Sequence, residues 1–231
     1  MNIVDIVIII LLAFGAIEGF KAGVIKKTTD FVGMFVIVIL AFYFKNDLST
    51  IMYENLPFFS FGGFVKGIDS INILIYEIIA FLIIFALLLF VLKGLLVITG
   101  LIEKILKATV ILSIPSKILG IFVGILESYV YIFIVLVILT LPIFNISLIR
   151  ESKVSNFMLN NTPILSSLSD EMVDIYGNVY GIIANREGKS NEDINTEVTK
   201  FMIDKNVLTK ESARKLVDRN KLHINDNSIL E

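Results

Sequence analysis

Gly15-Ala16-Ile17-Glu18-Gly19-Phe20-Lys21-Ala22-Gly23-Val24-Ile25-Lys26-Lys27 carries glycine at every fourth position and lies between two apolar runs. It reads as a tight hairpin joining two membrane-spanning helices. In lipid the hydrophobic effect gives helices no reason to associate, so close packing at small residues must hold them, and Gly15, Gly19 and Gly23 are the packing positions. The fold expected from this stretch is an all-α integral membrane protein.

Composition agrees with that reading. Of 231 residues 56% are hydrophobic, and the mean hydropathy is +0.85; soluble domains hold about 45–50% apolar residues. Charge is unevenly spread: residues 143–231 hold eleven Lys or Arg and thirteen acidic residues, against nine and nine in the longer stretch 1–142. The boundary expected near Pro142 separates a four-helix membrane domain, 1–142, from a soluble, mainly helical C-terminal extension, 143–231. A net charge of −2 leaves no basic footprint for nucleic acid. The chain has no cysteine, which rules out thiolate chemistry and Cys-based metal sites. Met1 to Ile17 lacks the basic start and small-x-small cleavage site of a secretory signal, so it reads as an uncleaved first span.

Four spans are expected, at about 3–20, 24–44, 71–98 and 117–141. The first would cover roughly 27 Å, close to a hydrocarbon core of about 30 Å. In the second, Lys26 and Lys27 are expected to snorkel toward headgroups. Lys45 to Ser70, with Pro57 and three glycines, reads as a loop or interfacial segment. The third span lies between Glu77 and Lys93, and an amphipathic surface segment is expected over Leu101 to Lys107. Pro115 opens the fourth span and Pro142 closes it. That span repeats the small-residue spacing at Gly120, Gly124 and Ser128, giving the first and last helices matching ridges.

Lysines in the short loops set the orientation. The 1–2 turn has Lys21, Lys26 and Lys27, and the 3–4 connection has Lys93, Lys104, Lys107 and Lys117; the 2–3 loop has only Lys45 and Lys66. A bacterial cytoplasmic-membrane protein with both termini outside is the expectation.

Two stretches carry a resemblance. Gly19-Phe20-Lys21-Ala22-Gly23-Val24-Ile25-Lys26, followed by Gly33, and Ser116-Lys117-Ile118-Leu119-Gly120-Ile121-Phe122-Val123-Gly124-Ile125-Leu126-Glu127-Ser128 resemble the two patterned segments of the colicin V production (CvpA) family of bacterial inner-membrane proteins. The chain departs from that pattern in charge. Relatives often have Arg where Glu18 and Glu127 stand, an acid at the place of Lys27, and Asn-Arg for Ser116-Lys117. The resemblance implies a role in producing or exporting a peptide toxin, or in envelope maintenance.

Glu127 is the candidate intramembrane polar site, since an ionisable group within a span is costly and points to function by default. It would line a polar path or a subunit seam, or else stand protonated against a neighbouring hydroxyl or carbonyl. Enzyme signatures are lacking. Gly181 to Ser190 ends in Gly-Lys-Ser, but six residues separate Gly181 from Gly188 where a phosphate loop needs four. Asp170, Glu171 and Asp174 read as a solvated helix face and His223 as a surface residue. In the tail, Pro163–Ala184, Glu197–Ile203 and Thr209–Val217 are helical candidates. The expected function is a non-enzymatic accessory membrane protein without cofactor or metal. Its expected partners are the lipid bilayer, further copies of itself, or export and envelope proteins. The alternative is a small oligomeric channel or transporter with a path at the interface of helices 1 and 4.

Overall fold

The computed structural model describes residues 2–98, 113–141, 144, 146–162 and 165–231. Four helices are long and apolar enough to cross a membrane: α1 (Ile3–Ala22), α2 (Val24–Asn55), α3 (Ile71–Ile98) and α4 (Ser113–Leu139). No strand occurs among the described residues. The surface segment expected over Leu101 to Lys107 and the Pro142 breaker lie outside them.

Asn2 starts α1 with a capping box. Its side chain accepts from the Val4 and Asp5 amides, and Asp5 accepts from the Asn2 amide at 2.7 Å. One residue, Gly23, separates α1 from α2, at a φ of 79° that suits glycine alone. The second helix runs past the expected end at Phe44 to Asn55, 32 residues in all. At about 48 Å it overshoots a hydrocarbon core of about 30 Å. Lys45 ends the uncharged run and not the helix, because nothing between it and Pro57 breaks a helix.

Across the membrane the helices stand in the order α1, α4, α2, α3: α4 packs between α1 and α2, and α2 between α4 and α3. Ile8, Met34, Val38, Phe81, Phe133 and Leu136 are buried at these contacts. The α1–α4 seam is glycine against glycine. A Cβ on Gly15 would lie 2.6 Å from the Gly124 carbonyl oxygen, one on Gly19 2.8 Å from the Gly120 carbonyl carbon, and one on Gly124 2.8 Å from the Gly19 Cα. Ser128 faces Gly15 in the same seam. Gly33 sits apart, against Leu92 between α2 and α3.

After α4 come α5 (Ser147–Glu151), α6 (Lys153–Asn161), α7 (Leu165–Ala184), α8 (Asn191–Asp204) and α9 (Lys210–Asp218), and a short 3-10 turn at Asn227–Leu230. Its buried residues, among them Tyr176, Val198 and Leu216, join the bundle's in one hydrophobic cluster. It caps the end of α2: Lys221 Nζ donates to the carbonyls of Tyr53, Glu54 and Leu56 at 3.2, 2.7 and 2.8 Å, and Arg219 donates to Glu54 O at 2.5 Å. Cations here satisfy carbonyls that the helix itself leaves open and oppose its dipole. It also grips the 2–3 connection. Asn195 Oδ1 accepts from Ser70 N and Oγ at 3.1 Å, and Phe64 stacks on Tyr180 with centroids 4.9 Å apart. The N-terminus, the 2–3 connection and the tail therefore share one side of the bundle, and the α1–α2 turn lies on the other.

Candidate functional site

The α1–α2 turn brings Lys27 back along α1, and the glycine seam brings α4 close enough for Glu127 to meet it. Lys27 Nζ lies 2.5 Å from Glu127 Oε2 and 3.5 Å from Glu18 Oε2. The Lys27 and Glu127 side chains are 10% and 12% exposed, and Glu18 is 72% exposed. Lys27 thus does not extend to headgroups as expected, because a carboxylate lies within its reach inside the fold. Among the described residues Glu127 is matched with this ammonium and not with a neighbouring hydroxyl or carbonyl; an opposite charge offsets part of the cost of burying it. Beside this cluster the amide of Val24, at the uncapped start of α2, donates to Ser116 Oγ on α4 at 3.2 Å.

The positions that depart from the resembled pattern, Glu18, Lys27 and Glu127, meet in one cluster. A base–acid–base set read with every sign reversed is again an attractive set. Sequence reasoning treated the three singly and missed Lys27 as a partner; the opposed signs of the departures were the available signal.

A second pair lies at the tail side. Lys45 Nζ is 3.0 Å from Glu77 Oε2 and donates to Asn46 Oδ1 at 2.7 Å; the paired side chains are 9% and 5% exposed. Phe42, Tyr43, Met172 and Asn206 line a cavity of about 290 Å³ beside it. Neither Lys45 nor Glu77 stood out in sequence, since each lay at the expected end of a span. Between the two ion pairs α2 and α4 bury apolar side chains, Met34 and Val38 on α2 and Val130, Phe133 and Leu136 on α4.

Of the other expected positions, Gly15, Gly19, Gly120, Gly124 and Ser128 come together in the α1–α4 seam, with a groove of about 290 Å³ beside Glu18 and Tyr131. Gly23 is the hinge, and Gly33 packs elsewhere. Gly188, at φ 76°, makes a turn and Ser190 caps α8, so Gly-Lys-Ser is a helix start. His223 Nδ1 lies 2.7 Å from Asp69 Oδ2. Asp174 pairs with Lys205 at 3.3 Å, while the side chains of Asp170 and Glu171 lie outside the described set. Among the described residues no group of three metal-ligating side chains converges. Burial raises the Tyr176 hydroxyl well above its ordinary value, and the Glu77 charge adds to the rise.

Residues 4–163 match the family described as colicin V production protein. The uncharacterized transmembrane protein YshB of Bacillus subtilis (strain 168) is 30% identical over 182 residues, which cover 75% of this chain and 98% of that protein. No solved structure matches. The family match ends just past α6, so α7, α8 and α9 lie beyond it.

Proposed function

The chain belongs to the colicin V production protein family and is a multi-pass membrane accessory protein, and from that premise we propose that it acts without catalysis or transport, by assembling with other membrane proteins in toxin production or export, or in envelope maintenance. The observation that carries this reading is the closure of four charges into two ion pairs, Lys27–Glu127 and Lys45–Glu77, with Met34, Val38, Val130, Phe133 and Leu136 buried between them; the buried Asp5 is held by hydrogen bonds from Ser152 and Val154 at the start of α1. Charges used up in this way hold helices in register and leave no further charged side chain buried between the two pairs among the described residues. The proposed setting is the bacterial cytoplasmic membrane with both termini outside. Lys21, Lys26 and Lys117 at the α1–α2 turn side support it.

The test is paired. Protein reconstituted in liposomes gives no ion flux above protein-free vesicles, while a strain lacking the protein loses envelope integrity or toxin secretion and regains it with the wild-type chain. The competing reading, an oligomeric channel or transporter along the α1–α4 groove, rests on the exposed Glu18 in that groove. Flux that Glu127→Gln abolishes would establish it and overturn the accessory reading. Reporter fusions to the C-terminus test the orientation, and a cytoplasmic signal overturns it.

A further inference from the structure

Beyond α4 the chain doubles back along that helix. Asp5, in the first turn of α1, accepts from Ser152 Oγ at 2.5 Å and from the Val154 amide at 3.0 Å, so α6 begins just inside the membrane-side start of α1. Its far end is deeper. Tyr129 Oη and Thr162 Oγ1 are 2.7 Å apart, and Tyr129 lies about 15 Å along α4 from Leu139, the tail-side end of that span. α7 starts from this depth at the buried Leu165 and climbs back, bringing Met172 and Ile175 to the Lys45–Glu77 cavity. Helices α6 and α7 thus run along the bundle to the level of the middle of α4 and back.

One face of α6 is accounted for: Ser155, Met158 and Leu159 are buried against the protein. Lys153, Asn156, Phe157, Asn160 and Asn161, at helical spacing, form the opposite face and are exposed. The amides of Asn156 and Asn160 donate to backbone carbonyls of Arg150 and Asn156 at 2.8 and 2.9 Å. Their amide oxygens accept nothing among the described residues, and Asn161 has no side-chain partner there. Acyl chains cannot satisfy such groups.

The geometry points to this face as the contact between two copies of the chain. Asparagine carries both donor and acceptor and so pairs with its own copy across a two-fold axis; between membrane helices it acts as a polar link. Phe157, 61% exposed in the middle of the stripe, suits a protein partner and not the wall of a water-filled crevice. This surface deepens the assembly reading above and rests on it only for the placement in the bilayer.

The chain has no cysteine, so single introduced thiols report one position each. Full-length Asn160→Cys protein in native membranes is expected to cross-link to a dimer on oxidation and to resist a membrane-impermeant maleimide. Phe122→Cys, exposed on α4, is expected not to cross-link. In a second variant Asn156→Leu is added to Asn161→Cys, and cross-linking is expected to fall to the Phe122→Cys level relative to Asn161→Cys alone. Maleimide labelling of Asn160→Cys without a dimer would make the face an aqueous wall. Absence of both would mean a different partner or lipid. Either result overturns the proposal, and neither changes the outcome of the flux test.

Discussion

Lys27 and Glu127, one hundred residues apart in the chain, close to 2.5 Å within the helix bundle. Removing one charge strands the other. Glu127→Leu is expected to lower stability by about 3 kcal/mol, and Glu127→Leu with Lys27→Met to recover most of that, because breaking a buried pair costs more than replacing it. Thermal unfolding in detergent measures both. A double variant no more stable than the single would contradict the pairing. The sign-reversed set, Lys27→Glu with Glu18→Lys and Glu127→Lys, is expected to fold.

Glycine at the α1–α4 seam can be tested against glycine elsewhere. Gly19→Ala meets the Gly120 backbone and is expected to cost about 1–3 kcal/mol through forced separation of the helices. Gly94→Ala, with nothing within 4 Å of the new methyl, is expected to be neutral or mildly stabilising. Equal losses at both sites would argue against backbone contact as the cause.

The end of α2 depends on the tail. Lys221→Ala takes a charged donor from three carbonyls and is expected to cost about 1.5–3 kcal/mol locally. Faster amide exchange over Tyr53 to Leu56 and earlier proteolysis of the tail are the readouts. Unchanged exchange there would show that solvent caps α2 equally well.

At the start of α8, hydrogen bonds from the Ser190 hydroxyl and amide hold the Asp193 carboxyl below its ordinary value. The folded protein therefore binds that proton more weakly than the unfolded chain, whose aspartates titrate at about 3.9. The stabilisation is complete above about pH 4 and is lost as pH falls through the lowered folded value. The gap in thermal stability between wild type and Asp193→Asn is expected to close below about pH 4. A gap constant from neutral pH down to about pH 3 would remove the capping box as its source.

The spans were legible in the sequence because apolar length and small-residue spacing are local signals, and Gly15, Gly19, Gly120 and Gly124 could be named from them. What was not legible depends on distance in the chain. Lys27 looked like a headgroup lysine until α4 stood beside it, and the docking of the extension on α1 and α4 rests on pairs such as Asp5 with Ser152 and Tyr129 with Thr162, which lie 147 and 33 residues apart. Helix α2 was cut short because charge at Lys45 signals the membrane boundary while helicity ends only near Pro57. Ser116, capping a helix it does not belong to, has no signature along the chain.

The order α1, α4, α2, α3 has a consequence in time as well as in space. The α1–α2 hairpin leaves the ribosome first, yet the helix that separates its two arms is made last of the four. Until residues 113–139 have been synthesised, Gly15 and Gly19 have no facing ridge and Lys27 has no Glu127. The nascent hairpin must therefore wait, open and with Glu18 as the carboxylate that its own arms bring to Lys27, for its central piece, and biogenesis of this protein turns on how the insertion machinery shelters it meanwhile.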